Sequence, residues 1–413
     1  MSAPERAVVR VPDRRGPADG RLPGAGPVRL GGLLVVEVGL AVALGLLALG
    51  AGPPLAGIVL SLALVAGLVR VRGELVGSWA VLALRHRVRS REAPAGGDPA
   101  PEDPDDPAPD GLDLGPLDPA VGEVTVVDGR DHDGRPVAFA GADDGTWSAV
   151  LVADTEERPL LLDATPDGGF PLTALAGTLR DRGVVLDALT VVRHARPGGA
   201  DSPARAAHRE VLGPLADAAH RSAWLVVRLD PGRCPGAVAE RGGGVLGSRR
   251  ALVGALARIG RVLADHDLPV RPLDREGLRD AVATAAAADL DRTPGGVTER
   301  WDAVVVGEVG HATWTAADLQ VPLGAHLDVD DLAAPDAVTT VALGLFPDQV
   351  LPDGDAAVGV AARVRVSART PEALADAGAA VVAAARARGM TLEPLHGRQV
   401  AGLRTTLPLG GLA

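Results

Sequence analysis

Twenty-two consecutive residues, Leu30 to Ala51, contain one ionisable group, Glu37, and a second apolar run from about Pro53 to Val71 follows at once. At ~1.5 Å per residue the first run can cross a ~30 Å hydrocarbon layer. Pro53 and Pro54 break any helix between the two. A cleaved signal peptide would have a shorter apolar region and no second run behind it, so the pattern predicts a two-helix transmembrane hairpin over 30–71. A carboxylate in mid-membrane costs ~2.5–3.5 kcal/mol, and each Leu or Val returns ~0.3–0.6; the eight Leu and four Val of the first run outweigh Glu37. Glu37 is therefore a candidate for assembly inside the membrane, through an arginine of a neighbouring subunit. The alternatives are a protonated acid and a side chain reaching toward the headgroups. The small pairs Ala41/Gly45 and Ala63/Gly67 permit close helix packing.

Arginine placement orients the hairpin. Arg6, Arg10, Arg14, Arg15, Arg21 and Arg29 precede it, Arg70, Arg72, Arg85, Arg87, Arg89 and Arg91 follow it, and the Gly52-Pro53-Pro54 turn has none. Basic flanks favour the cytoplasmic side, so both termini are expected there, with residues 1–29 as a basic tail and 72–91 as a basic juxtamembrane segment. Leu75, Val76, Trp79, Leu82 and Ala83 share one helical face. Trp79, with Arg85, Arg87, Arg89 and Arg91, is the candidate contact with the membrane surface.

Residues 92–120 hold nine acids, eight prolines and no base, a composition expected to form an extended linker. Residues 1–91 carry 12 Arg against 5 acids, and the remainder 29 Arg against 48 acids. An acidic remainder argues against nucleic acid as the main partner. All 41 basic residues are Arg, Lys and Asn are absent, and there is no Tyr. That is the mark of a GC-rich genome, and it leaves Ala, Val and Leu to fill the core. The single Cys234 excludes an internal disulfide and any multi-cysteine metal site.

From Val121 to the end, β-rich runs alternate with Ala-rich helical stretches, which predicts a mixed α/β (α+β) cytosolic domain. Strands are expected at Glu123–Val127, Pro136–Ala140, Trp147–Ala153, Leu186–Arg193, Trp224–Leu229, Ala303–Glu308, Val338–Phe346, Gly359–Ser367 and Thr405–Pro408. Helices are expected at Leu172–Asp181, Ala204–His220, Ser248–Asp265, Arg275–Asp289 and Pro371–Arg388. The first three strands read as an antiparallel meander and the later ones as a sheet with crossover helices. No internal repeat is visible.

Few fragments suggest chemistry. Arg241–Arg250 (RGGGVLGSRR) spaces Gly242 and Gly247 as in a phosphate-cradling loop, but position 248 is Ser and the chain has no Lys to meet the phosphates. The plainer reading is a glycine-rich turn that starts a helix. Asp328 and Asp330 form an Asp-x-Asp able to hold a divalent metal, or equally a loop or helix cap. Asp131-His132-Asp133-Gly134 reads as a hairpin turn. The nine His show no zinc spacing, and Ser202, Ser248 and Ser367 lack a nucleophile-elbow context. No catalytic residue, cofactor or metal is assigned.

The order of several fragments is nevertheless distinctive: GSWAVLALRHRVRSR, DGTWSAVLVAD, AWLVVRLDPGRCPGAVAERGGGVLGSRRAL, LPVRPLDREGL, DAVTTVALGLF and GRQVAGLRTTLPLGG. Together they resemble EccE, a membrane component of the actinobacterial type VII (ESX) protein secretion system. Trp224–Gly247 and the closing TTLPLG are the most specific parts. The resemblance implies a non-catalytic subunit of a cell-membrane complex that also contains EccB, EccD and the ATPase EccC. It further implies a cytosolic domain similar to a degenerate glycosyltransferase fold. The alternative is a membrane-attached glycosyltransferase that uses Asp328 and Asp330 to bind a metal and a nucleotide-sugar.

Overall fold

The computed structural model describes residues 30–48, 52–68, 70–71, 74–75, 110–153, 170–196, 220–290, 296–316, 332, 337–350 and 356–410. They belong to two compact units, one made of Asp13–Asp98 and the other of Met1–Pro12 with Pro99–Ala413.

The smaller unit is a helical hairpin. Helix α1 spans Leu30–Ala48 and α2 spans Pro53–Leu68, with a short antiparallel pair, β1 (Arg70–Val71) and β2 (Glu74–Leu75), after them. Pro53 opens α2 at the position where a missing N–H costs no hydrogen bond. The seam between the helices is made of small residues: Gly39, Ala43 and Ala56 are buried, and a Cβ on Gly39 would collide with Ala63. The sequence singled out Ala41/Gly45 for packing, but both are exposed and Gly45 faces open space. Spacing alone does not say which of two small-residue ridges, offset by two positions, meets the neighbour. The helices are also shorter than the apolar runs, 19 and 16 residues. Among the described residues, no helix is long and apolar enough to cross a membrane. Of the amphipathic segment expected over Leu75–Leu84, only Leu75 is described, in β2.

The larger unit is mixed α/β, built on one large antiparallel sheet. It begins with β3 (Asp110–Gly111), a 3-10 turn (Gly115–Leu117) and α3 (Asp118–Val121). Leu112, Leu114 and Leu117 are buried, so residues 110–120, which composition assigned to the linker, are folded. Three leucines among the acids and prolines provide the apolar surface that the average composition hides. The meander follows as β4 (Val124–Arg130), β5 (Pro136–Ala142) and β6 (Trp147–Ala153). Next come α4 (Leu172–Ala176), β7 (Arg180–Asp181), β8 (Val184–Val185), β9 (Ala188–Arg196), β10 (His220–Leu229), α5 (Pro235–Ala239), α6 (Gly244–Ala264), β11 (Val270–Pro272) and α7 (Arg275–Ala286). The C-terminal part holds β12 (Val297–Glu299), β13 (Val304–Val306), β14 (Val309–Ala316), β15 (Val338–Val350), β16 (Ala356–Ala368), α8 (Pro371–Ala387), β17 (Leu392–Pro394) and α9 (Gln399–Arg404).

The 13-stranded sheet runs β12-β13-β14-β16-β15-β9-β10-β6-β5-β4-β3, with β11 added to β6 and β17 to β14. Each described pair in it is antiparallel. The expected crossover sheet is therefore corrected. Nucleotide-binding folds of the doubly wound type need parallel neighbours and a switch point between them, which the described pairings do not provide; a glycosyltransferase-like fold is not shown. The continuous apolar runs arise because both faces are covered. Leu225, Val227 and Leu229 of β10 enter one core with α6 and α8, whereas Trp224 and Val226 enter the other with α7.

Strand order is mirrored about the β9–β15 pair, and the registers show an internal duplication that sequence did not reveal. Pro272 of β11 sits opposite Leu151 of β6, and Pro394 of β17 opposite Trp314 of β14. Carried inward, one half pairs Leu151 with Leu225 and Leu225 with Val191; the other pairs Trp314 with Val364 and Val364 with Val341. The next residues, Val192 and Ala342, are then equivalent, and they face each other across the centre. A pseudo-twofold axis passes through that pair. The amide of Leu273 donates to the Val150 carbonyl as that of Leu395 does to Thr313, each at 2.9 Å. Partners such as Leu151 and Trp314 share a position but not a shape, and α6 and α8 differ in length, 21 against 17 residues.

Other differences have local causes. The helix expected over Leu172–Asp181 ends at Ala176, and the chain turns into the β7–β8 hairpin, where Gly183 has φ +80°. Within Ala303–Glu308 the strand stops at Val306, and Gly307, at φ +58°, turns it into β14. Thr405–Pro408 is not a strand: the Thr405 and Thr406 hydroxyls donate to the carbonyls of Ala401, Gly402 and Leu403, closing α9. Of Ala204–His220, residues 204–219 lie outside the described set and His220 begins β10.

Two glycines of α6 test this packing. A Cβ on Gly247 would strike the Val238 carbonyl of α5, whereas Gly254 faces open space. Gly254→Ala should stabilise the domain by up to about 1 kcal/mol through helix propensity, and Gly247→Ala should cost about 1–3 kcal/mol through overpacking. Thermal melts of the two variants should shift in opposite directions.

Candidate functional site

The glycine-rich turn is a joint. Gly242, Gly243 and Gly244 have φ of +113°, +70° and +50°, a run that side chains would strain, and α6 begins at its end. The Ser248 hydroxyl is buried and donates to the Gly244 carbonyl at 2.8 Å. Arg241 donates to the Ala237 carbonyl at 2.7 Å and Arg250 to the Arg241 carbonyl at 3.0 Å. Arg249 lies over the Phe139 ring, 5.5 Å from its centroid, with Nη2 3.4 Å from the Asp128 carbonyl. These arginines hold the turn in place, and the phosphate-loop reading has no support in the geometry. Cys234, just ahead, is buried in the core.

The two segments that carry most of the resemblance are brought together by ions. Asp187 is buried; its Oδ1 lies 2.7 Å from Arg233 Nη1 and its Oδ2 3.2 Å from Arg228 Nε. The second contact is an ion pair without hydrogen-bond alignment, since Arg228 Nε has no hydrogen-bond partner. Arg228 also meets Asp144 at 2.8 Å and donates to the Gly410 carbonyl at 2.8 Å. Burial pushes the Asp144 carboxyl up, but hydrogen bonds from Thr146 and the nearby Arg228 and Arg404 outweigh it and hold the group below its ordinary value. The Ser148 hydroxyl donates to the Leu409 carbonyl at 3.2 Å. Strand β10, the turn after it and the segment Leu407–Gly410 thus share one charged knot on β6.

A second polar cluster crosses the centre of the sheet. Arg365 of β16 is fully buried, and its Nη2 donates to the Ala285 carbonyl in the last turn of α7, where the helix dipole favours a cation. Nη2 also lies 3.4 Å from Thr340 Oγ1, which is 3.1 Å from His194 Nδ1. Nη1 is 3.3 Å from His311 Nδ1, and Ser367 Oγ is 2.8 Å from the same nitrogen; Nδ1 accepts, so Nε2 holds the proton of neutral His311. Burial pulls Arg365 down to about 9, and burial with Arg398 pulls Arg363 down to about 10. Sequence reading missed this cluster because its members are spread over four β-rich runs, β9, β14, β15 and β16, that only the fold brings together.

The open groove beside β4 is lined by Asp113, Asp128, Asp274, Arg275, Glu276 and Arg279. Arg275 is engaged by Asp128 at 3.0 Å and by the Val126 carbonyl at 3.0 Å, and Arg279 donates to the Asp113 carbonyl at 3.1 Å. Among the described residues no group of three or more His, Cys, Asp or Glu could hold a metal. Asp328 and Asp330 lie outside the described residues, as do Trp79, Arg85, Arg87, Arg89 and Arg91. Glu37 is described: it is exposed on α1.

The hairpin holds the most unusual surface. Val38, Leu40, Val42, Leu44, Leu47, Leu55 and Ile58 are all exposed, and among the described residues Val245 is the one further large apolar side chain in that state. Contiguous apolar surface of this kind marks a lipid or protein contact.

Comparison with known proteins agrees with the fragments. Residues 217–316, from β10 to the end of β14, match the family model EccE, described as a type VII ESX secretion system translocon. Over 294 residues the chain is 28% identical to the ESX-5 secretion system protein EccE5 of Mycobacterium marinum; the match covers 68% of this chain and 64% of that relative, less than two thirds of its length.

Two expectations follow. Asp187→Ala leaves Arg233 without its acid and should cost about 1–3 kcal/mol, whereas Glu308→Ala, which removes an exposed 3.7 Å pair with Arg369, should stay within about 0.5 kcal/mol; urea titration reads both. Burial, then the Arg365 charge, hold His311 well below its ordinary value. The unfolded chain gains a proton below pH of about 6.5 that the folded chain refuses, so stability falls as pH drops below that point. His311→Gln should remove this part of the slope, at most about 1.4 kcal/mol per pH unit.

Proposed function

From the premise that the chain belongs to the EccE family of type VII secretion system components, we propose that it is a non-catalytic structural subunit of the ESX membrane complex, held in the cell membrane by its hairpin. The observation that carries this reading is the exposed aliphatic surface of α1 and α2. In water that surface would be a liability, and in hydrocarbon it is the expected outside of a helix pair. The helices of 19 and 16 residues are about 28 and 24 Å long, and bilayer thinning with snorkelling flanks accommodates a shortfall from ~30 Å at fractions of a kcal/mol per Å. The 22-residue apolar run of the sequence reaches further.

Arginines on both flanks and none in the turn put both termini on the cytoplasmic side. Trp79 then sits at the headgroup level, and Arg85, Arg87, Arg89 and Arg91 meet anionic lipid. The larger unit, on the same side, contacts the cytosolic parts of partner subunits, which are EccB, EccD and the ATPase EccC; energy for export comes from the ATPase. The glycosyltransferase alternative has no observation in its favour.

Deleting residues 30–71 should move the chain from the carbonate-resistant membrane fraction to the soluble one, and it should abolish recovery of the ATPase with a tagged chain in mild detergent. Retention in the membrane without the hairpin, or a full-length chain recovered only as a free monomer while the rest of the complex stays intact, would sink this proposal.

A further inference from the structure

We infer that the face of α1 headed by Glu37 docks, within the membrane, against a helix of a different subunit that carries an arginine or lysine at the same depth. This rests on the reading that the hairpin is inserted. Helix α1 has two long faces, and the structure uses one. Gly39 and Ala43 are buried in the seam with α2. Glu37, Ala41, Leu44 and Ala48 follow one another at i, i+4, i+7 and i+11, which places them along a single line on the opposite side. All four are exposed.

A carboxylate aimed away from its own partner helix is not explained by the hairpin. Glu37 is the one ionisable residue of α1, and α2 (PPLAGIVLSLALVAGL) has none, so no charge in the pair complements it. Glu37 stands about 10 Å along the helix from Leu30, inside the apolar stretch, where an acid is costly to leave to lipid. Leu40 and Leu44 flank it, both exposed, while Ala41 is short enough to let another backbone approach. A carboxylate in an apolar surround with a small-residue approach beside it fits a cationic donor on a packed helix. A second copy of this chain fits less well, because the same face would bring another acid and no charge to neutralise the first.

The test uses the full chain in membranes that contain the intact complex. A photo-reactive residue at Leu44 lies on the proposed face, and one at Val42 lies to its side. The Leu44 probe should give an adduct with one other membrane subunit, mapping to a helix with Arg or Lys, and the Val42 probe should give much less. Glu37→Leu should lower the Leu44 adduct about tenfold, the size expected for losing one interhelical polar contact, and Glu37→Gln should retain part of it. An adduct with lipid alone, with a second copy of the chain, or with a helix lacking a cation would overturn the inference, as would an adduct undiminished in Glu37→Leu. Carbonate extraction of the same membranes separates the two levels: release of the wild-type chain sinks the insertion reading itself, whereas retention of Glu37→Leu with an unchanged adduct sinks the docking face alone.

Discussion

The ladder between β9 and β15 is the contact on which the larger unit depends. It joins two modules of like topology through seven residue pairs from Thr339↔Ala195 to Leu345↔Leu189, and both cores run across it. Leu225 from one module and Val364 from the other lie in the same core, and Val226 and Val306 share the second. Neither module has a core of its own. Split at the centre, each would expose an apolar edge of unpaired amides and carbonyls, the kind of edge that invites aggregation. The duplication has therefore fused into a unit whose halves complete one another.

The polar groups inside follow from that geometry. Where the sheet is covered an arginine has to be satisfied by its neighbours: Arg365 reaches the carbonyl end of α7, and the partly buried Arg228 gathers Asp144, Asp187 and the Gly410 carbonyl. Such inward arginines take positive charge off the surface.

Much of this was legible in the sequence, and its limits have physical causes. The meander and strands β10, β15 and β16 stood out as alternating or continuous β-branched runs, and α6, α7 and α8 as helical stretches. Strand direction did not stand out, because continuous apolar runs report burial on two faces and are the same for parallel and antiparallel ladders. The folded start at Leu112, Leu114 and Leu117 was hidden in an acidic, proline-rich average. The repeat was hidden because register, which pairs Val192 with Ala342, is a property of hydrogen bonds and not of residue type.

The same distinction governs the functional residues. Arg241–Arg250 had the composition of an anion loop, and only its geometry shows that Arg241, Ser248 and Arg250 turn back to neighbouring backbone while Arg249 reaches Phe139 and the Asp128 carbonyl. Glu37 had the composition of a problem, an acid in an apolar run, whose solution depends on direction. Had it stood at the seam, beside Gly39, its partner would have to come from α2, and the hairpin would be self-sufficient. It stands on the other side, in line with Ala41 and Leu44. If the hairpin is inserted as proposed, the charge that complements Glu37 comes from outside it, and the proposed anchor is then also a docking element.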